Sequence, residues 1–123
     1  MAFLNDNVFD SGLSYADTNG TRIDICSTDP GGTYATVTAN TLGNATVNTG
    51  APTNGDVDGR KVVVPAITTG SVTGTGTATH WALTDGASVV VASGTLTASQ
   101  AVTSGNTFTL DAINITLRDA TSV

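Results

Sequence analysis

Three polar residues at alternate positions form the most suggestive chemical motif in the chain. Asn54, Asp56 and Asp58 supply side-chain oxygens as the first half of a calcium-binding loop does. Gly59 follows and permits a sharp turn, but Pro65 stands where such a loop carries its bidentate glutamate. Two interpretations therefore stay open, a calcium loop completed by other ligands and an ordinary turn. The second is favoured, and we predict no metal site.

The single histidine and the single cysteine are the remaining candidates for catalysis. His80 could join a Ser-His-Asp triad, because such triads assemble in space and not in sequence. Its position beside Trp81 at the end of a predicted strand favours a structural role instead. Cys26 has no partner for an internal disulfide and is predicted to be a small core residue within a strand. We therefore predict no enzyme, no catalytic residue and no cofactor.

The few large aromatic residues suggest a second kind of site. Trp81, Tyr15 and Tyr34 could form a platform that stacks against sugar rings, although packing in or beside the core is the simpler interpretation. An exposed Trp81 in a shallow groove with a tyrosine beside it would favour a carbohydrate site. A buried Trp81 would count against one.

Charge excludes several classes of partner. The net charge is −6, with only four Lys and Arg residues against ten acids, all of them Asp. Four dispersed cations cannot neutralise a run of phosphates, so we expect neither nucleic-acid binding nor attachment to an anionic membrane.

The first residues have no basic segment followed by an apolar one, so no signal peptide is predicted and synthesis in a cytosol is expected.

The elements that must position these residues are predicted to be strands. The chain has 24 Thr, 13 Val and 5 Ile among 123 residues, and β-branched side chains pack well on a pleated surface. Frequent turn signals indicate an all-β fold, a single-domain β-sandwich or small barrel of seven to nine antiparallel strands. The predicted strands include residues 12–16, 22–27, 34–39, 45–48, 60–67, 71–81, 88–96 and 107–119.

Several local features of this pattern are specific enough to test. Asn19-Gly20 predicts a hairpin turn, because it accepts the positive φ that tight turns need. The apolar parity flips between Ala112 and Ile113, which predicts a β-bulge there. Gly74, Gly76 and Ala78 share one strand face, which predicts a close approach by another backbone, from the same chain or from another subunit.

Two units are expected, an apolar N-terminal arm over residues 1–10 and one β-sandwich domain over residues 11–123. The arm carries Phe3, Leu4, Val8 and Phe9 in a chain that is otherwise poor in aromatic residues. It could contact a neighbouring molecule or form an edge of its own core.

Five segments spread over nearly the whole chain carry a resemblance to a known group of proteins. They are residues 7–13, 23–27, 58–62, 76–83 and 100–108. In this pattern the chain resembles small structural proteins of tailed bacteriophage virions, of the capsid decoration (cement) or accessory tail and fibre type. The resemblance supplies no active-site motif, so no functional residue is carried over from it.

The resemblance implies a protein assembled into virions in the host cytoplasm. The expected function is capsid decoration, in which the chain binds the major capsid protein or other virion proteins and stabilises the head shell, as a homo-oligomer. The alternatives are a tail or fibre component and a carbohydrate-binding module for host adhesion.

Overall fold

Strands greatly outweigh helices in the described residues, with nine strands against two helices, which confirms the all-β class predicted from composition. The computed structural model describes residues 5–119. In these residues six strands form one antiparallel sheet and three form a second, at the upper end of the predicted number. The larger sheet curls into a half-barrel, and the smaller one packs against it as in a small β-sandwich.

The helices and strands follow one another with short connections. In chain order they are α1 (Asp6–Asn19), β1 (Arg22–Cys26), α2 (Tyr34–Asn40), β2 (Thr41–Thr46), β3 (Thr53–Asn54), β4 (Arg60–Val64), β5 (Ile67–Val72), β6 (Gly76–Thr84), β7 (Val90–Val102), β8 (Thr107–Leu110) and β9 (Ile113–Leu117). The larger sheet has the order β7-β6-β1-β2-β5-β8, and the smaller one has the order β3-β4-β9.

A 14-residue helix occupies the N-terminal region, so the strand predicted over residues 12–16 is wrong. The side chain of Asn5 caps α1 by accepting a hydrogen bond from the backbone N–H of Asn7 at 2.8 Å. Phe9, Leu13 and Ala16 are buried, with the i, i+4, i+7 spacing of one helix face. The helix crosses the boundary expected between arm and domain at residue 10, and residues 1–4 lie outside the described residues.

The predicted Asn19-Gly20 hairpin turn is also wrong, because these residues end α1. Gly20 has φ −81°, and its N–H donates to the carbonyl of Ala16 at 2.7 Å. A Cβ at this position would lie 2.6 Å from that carbonyl oxygen and 2.8 Å from the Leu83 side chain. The glycine is therefore required by close packing and not by a positive φ.

A second, short helix replaces the strand predicted over residues 34–39. In α2 the hydroxyl of Thr38 donates to the carbonyl of Ala35, and the amide of Asn40 donates to that of Thr36. Val37 is buried against β1 and β6. Packing of this one apolar residue outweighs the weak helix propensity of the Thr-rich segment.

The smaller sheet is the continuation of two strands of the larger one. β4 leads into β5 through Pro65, and β8 leads into β9 through Asp111 and Ala112, so one antiparallel ribbon bends and switches sheets. Pro65 has no backbone N–H for pairing, which breaks the strand predicted over residues 60–67. The bulge predicted between Ala112 and Ile113 is also wrong. The chain does break its regular pairing there, but the break is the second corner of this ribbon, between β8 and β9.

The strand predicted over residues 71–81 is divided by a turn. β5 ends at Val72, and the N–H groups of Thr73 and Gly74 donate to the carbonyl of Leu42. The side chain of Leu42 covers the glycine face, since a Cβ on Gly74 would lie 3.5 Å from it and one on Gly76 3.3 Å. The close approach by another backbone that was predicted for this face is therefore wrong, because the side chain of Leu42 is the nearest neighbour of both glycines among the described residues.

The core has two main parts. One lies inside the curl of the larger sheet and contains Ile25, Leu42, Val72, Ala78, Val102 and Phe108. The other joins the two sheets, since Ile23 and Leu83 of the larger sheet contact Val64 and Ile113 of the ribbon beyond its corners. Ile23 and Ile25 lie on the same face of β1, so this face links the two parts of the core.

Candidate functional site

The two edge strands of the larger sheet approach each other and leave a cleft between them. β7 and β8 are at opposite ends of the strand order, but the curl brings them together. Gln100 Nε2 of β7 donates to the carbonyl oxygen of Thr109 of β8 at 3.0 Å. The cleft has a volume of about 400 Å³ and is lined by Trp81, residues 95–100 and residues 109–113. Small-molecule sites typically measure roughly 300–1,000 Å³.

A large bulge in β7 forms one wall of the cleft. Gln100 pairs with Ala78 of β6, whereas Thr95 pairs with His80, so residues 96–99 of β7 stand opposite Thr79 alone. The extra residues make this part of β7 arch away from its partner. Bulges of this kind occur next to binding sites because they re-aim side chains and end regular pairing.

Trp81 lies at the base of this wall with its ring against a neighbouring strand. Its direct cross-strand partner is Gly94, and a Cβ at that position would lie 2.9 Å from Nε1 and Cζ2 of the indole. The indole is half-buried and also contacts the core that joins the two sheets. Tyr15 on α1 and Tyr34 on α2 do not line the cleft, so the predicted three-residue platform is not assembled.

The polar lining of the cleft is almost entirely uncharged. Hydroxyl groups come from Thr95, Thr97 and Ser99 on one wall and from Thr109 on the other. Asp111 is the one charged residue among the described lining residues, and no Lys or Arg is among them. The cleft therefore offers hydrogen-bond donors and acceptors around an aromatic surface.

His80 does not meet the requirements of a triad in residues 5–119. Its Nδ1 lies 2.8 Å from the hydroxyl of Thr79, which in turn donates to the carbonyl of Ser27 at 3.0 Å. A hydroxyl has one hydrogen, so Nδ1–H must donate to Thr79 when Thr79 donates to Ser27. No Ser or Asp side chain of the described residues is hydrogen-bonded to the ring.

The candidate calcium ligands are all engaged by the protein itself. Lys61 pairs with Asp56 and Arg118 pairs with Asp58, while the amide oxygen of Asn54 accepts from Arg60 at 2.8 Å. The hydrogen bond from Arg118 lowers the pKa of Asp58 below its usual value. No cluster of three or more metal-ligating side chains occurs in the described part of the chain. The segment is a turn held by ion pairs.

Cys26 is the buried core residue that the sequence predicted. It is fully enclosed in a cluster with Val37 and Ala82. Burial raises the pKa of its thiol to about 11, with a smaller contribution from the nearby charge of Asp24. Because the thiolate is the reactive form, this environment makes the cysteine inert at neutral pH.

All four cationic side chains of the protein are engaged in ion pairs with aspartates. The pairs are Arg22–Asp24, Arg60–Asp10, Lys61–Asp56 and Arg118–Asp58. The first pair is bidentate, and its buried carboxylate also accepts from the hydroxyl of Thr41 at 2.7 Å. The six remaining Asp residues account for the whole net charge of −6.

Sequence reasoning identified Trp81 but missed the residues that form the rest of the cleft. Gln100 is the only glutamine of the chain, and Gly94 interrupts a strand rich in β-branched residues. A glycine inside a strand commonly marks a close approach, so Gly94 carried a usable signal. The contact between Gln100 and Thr109 had none, because it depends on the curl of the whole sheet.

The fold and the cleft define the class of the protein as a small two-sheet β protein. Its half-barrel has an open seam, which is the gap between β7 and β8. No family model, no curated protein and no solved structure matches the chain. Neither helix of the described residues is long and apolar enough to cross a membrane.

Proposed function

We propose that the chain is a structural protein of a phage virion, a capsid decoration protein that binds the head shell and stabilises it. The proposal rests on the resemblance in sequence pattern and on one surface of the molecule, the exposed face of α1. Its partner is the major capsid protein, and copies of the chain repeat around the symmetry of the shell.

The exposed face of α1 is the observation that carries the proposal. Val8 and Tyr15 are 56% and 50% exposed, and Leu117 of β9 is 39% exposed. Gly12 lies between the first two on the helix, and among the described residues a Cβ there would meet only Leu117, at an ordinary 3.6 Å. The packing of residues 5–119 therefore does not require this glycine, although glycine within a helix costs about 1 kcal/mol relative to alanine. Close approach by a partner supplies a reason for it.

The electrostatics of the surface fit attachment to the outside of a shell. Because all four cationic side chains are paired, the surface presents aspartates and short neutral side chains. Packaged DNA would repel such a domain, so an external position is favoured. Short side chains also lose little rotamer entropy on docking, and a symmetric lattice repeats each weak contact many times.

The test is the number of copies of the chain per virion, measured by quantitative mass spectrometry of purified particles against the major capsid protein. Copies on the order of hundreds would agree with shell decoration. Copies in the single digits or tens would replace decoration with a tail or fibre position. Absence from particles would overturn the virion proposal.

A charge substitution then tests the docking face. Val8→Asp in the first turn of α1 places a carboxylate on the exposed face, and we expect it to reduce the number of copies on particles at least tenfold. Ala35→Asp is the matched control, because it places the same charge on an exposed position in the first turn of α2. Equal loss of copies in the two variants would contradict docking through α1.

A further inference from the structure

We propose that the cleft between β7 and β8 binds a neutral saccharide, with the indole of Trp81 as its stacking surface. This goes beyond shell binding and does not depend on it, because the cleft and the exposed face of α1 use different residues. The proposal is carried by the geometry of the indole, by the chemistry of the lining and by its charge.

The indole is held in a way that suits stacking. One part of the ring is backed by the main chain at Gly94, where even a methyl group would lie 2.9 Å from the indole atoms. The half-buried ring borders the cleft and packs against the inter-sheet core, so these contacts set its resting orientation before any ligand arrives and leave it free only on the cleft side. A preorganised aromatic surface loses little entropy on binding, and the C–H groups of a sugar ring fit the negative face of such a ring.

The walls supply the hydrogen bonds that sugar hydroxyls require. Thr97 and Ser99 are exposed on the β7 bulge, and Thr109 is exposed on β8. Gln100 uses one amide hydrogen on the carbonyl of Thr109, which leaves its second amide hydrogen and its amide oxygen for a ligand. Neutral donors and acceptors thus lie on both sides of the aromatic surface.

Charge selects among ligands. Asp111 is the only ionisable side chain that the described residues contribute to the lining. A phosphate or a uronic acid would meet this carboxylate without a compensating cation, whereas a neutral sugar can donate hydroxyl hydrogens to it. The volume of about 400 Å³ lies at the small end of ligand sites, which suits a short saccharide.

An extended peptide fits the cleft less well. A strand inserted between β7 and β8 would complete the barrel through its main-chain hydrogen bonds. The side chain of Gln100 already spans this gap to the carbonyl of Thr109, so an inserted strand would have to break that contact. A saccharide can lie beside this bridge and leave it intact.

The chain carries its own reporter for the test, since Trp81 is its only tryptophan. Full-length protein is titrated with glucose, galactose, N-acetylglucosamine, lactose, cellobiose and chitobiose, and with glucuronate as the acidic comparison. Indole fluorescence and the single indole N–H resonance are followed. We expect a saturable shift with at least one neutral sugar, with a Kd on the order of 1 mM. Glucuronate should bind at least tenfold more weakly than glucose.

Variants separate the cleft from the rest of the surface. We expect Trp81→Ala to weaken binding by about tenfold or more and Trp81→Phe by roughly threefold, as the stacking area shrinks. Binding to these variants is followed by the backbone amide resonances of residues 95–100. Thr97→Val should weaken sugar binding by roughly threefold, because the hydroxyl is lost. Thr53→Val, the same change on an exposed strand of the smaller sheet, should leave the Kd unchanged.

Several outcomes would overturn the proposal. One is the absence of a saturable shift with every neutral sugar up to roughly 50 mM, far above the expected Kd. Equal binding of glucose and glucuronate would contradict the charge argument, and equal effects of Thr97→Val and Thr53→Val would place the ligand elsewhere. The number of copies per virion is measured separately, so failure of one proposal leaves the other standing.

Discussion

Two aromatic residues of this protein use the same packing arrangement with different results. Phe108 pairs directly with Gly70 of the neighbouring strand, and a Cβ on that glycine would lie 2.3 Å from the phenyl ring. Trp81 pairs directly with Gly94 in the same manner. Phe108 is fully buried inside the curl of the sheet, whereas Trp81 is half-buried and borders the cleft.

The difference lies in what covers the far side of each ring. Phe108 is enclosed by Ile25, Leu42 and Val72, which project into the same interior. Trp81 lies beside the β7 bulge, where the sheet has not closed onto β8. An aromatic ring over a cross-strand glycine thus becomes core where other side chains cover it and borders a cleft where they do not.

The most severe way to test this comparison is to remove each ring. We expect Phe108→Ala to lower the free energy of unfolding by about 3–5 kcal/mol, because it leaves a cavity in a closed core. Trp81→Ala should cost only about 1–3 kcal/mol despite the larger side chain, since part of the indole already contacts solvent. Urea denaturation measures both values. A greater loss for Trp81→Ala would show that its ring is a core residue and not an accessible surface.

The next prediction concerns the glycine under each ring, where an alanine substitution adds a methyl group against the ring. Gly70→Ala should destabilise the protein by about 1–3 kcal/mol, because the phenyl ring has no room to move. Gly94→Ala should change the free energy of unfolding by less than about 1 kcal/mol, since the indole can tilt into the cleft and alanine is favoured over glycine in a strand. The tilt should shift the tryptophan emission to longer wavelength.

Equal destabilisation by Gly70→Ala and Gly94→Ala would contradict the comparison. A shift of tryptophan emission in Gly70→Ala would do so as well, because Phe108 and Trp81 would then belong to one continuous packing unit. The same two measurements, denaturation and emission, therefore decide both points.

The sequence predicted the class of the fold better than its elements. Composition indicated strands correctly, since β-branched residues dominate throughout. The same composition concealed α1, although Phe9, Leu13 and Ala16 recur at helical spacing behind an asparagine cap. α2 left almost no signal, because one buried valine in a Thr-rich segment decides its conformation.

The site was predictable only in part, because long-range geometry assembles it. Trp81 stood out as the only tryptophan, but it was grouped with tyrosines that lie on the two helices. Its true neighbours are the β7 bulge and the edge of β8, which the curl of a six-stranded sheet brings together. The parity flip near Ala112 correctly located a break in β structure, but hydrophobic alternation does not distinguish a bulge from a change of sheet.

A smaller effect is expected at the bridge across the seam. Gln100→Ala removes the hydrogen bond to the carbonyl of Thr109, and we expect a loss of about 0.5–1.5 kcal/mol in the free energy of unfolding. Thr97→Val is the control, since it alters the same strand without touching the bridge. Amide exchange should quicken in β8 of Gln100→Ala but not in β8 of the control. Unchanged exchange in both variants would show that the seam is held by other contacts.

The last prediction needs no substitution, because it compares the accessibility of Cys26 and Trp81 in the unaltered protein. The thiol of Cys26 has its pKa raised to about 11 from an ordinary 9.0, so the folded state holds this proton more tightly than the unfolded chain does. Its contribution to stability is complete below pH 9 and is lost as pH rises through 11. At pH 8 the folded protein should contain about a hundredfold less thiolate than the unfolded chain, and iodoacetamide should react more slowly by at least that factor.

Acrylamide quenching of Trp81 in the same sample supplies the other half of the comparison. The indole borders an open cleft, so quenching should be readily measured while Cys26 stays unreacted. Addition of a bound neutral sugar should protect the indole from acrylamide and leave the alkylation rate of Cys26 unchanged, because the sugar covers the seam and not the core. Parallel protection of both residues would mean that the ligand acts by tightening the whole fold, and the separation between closed core and open seam would then fail.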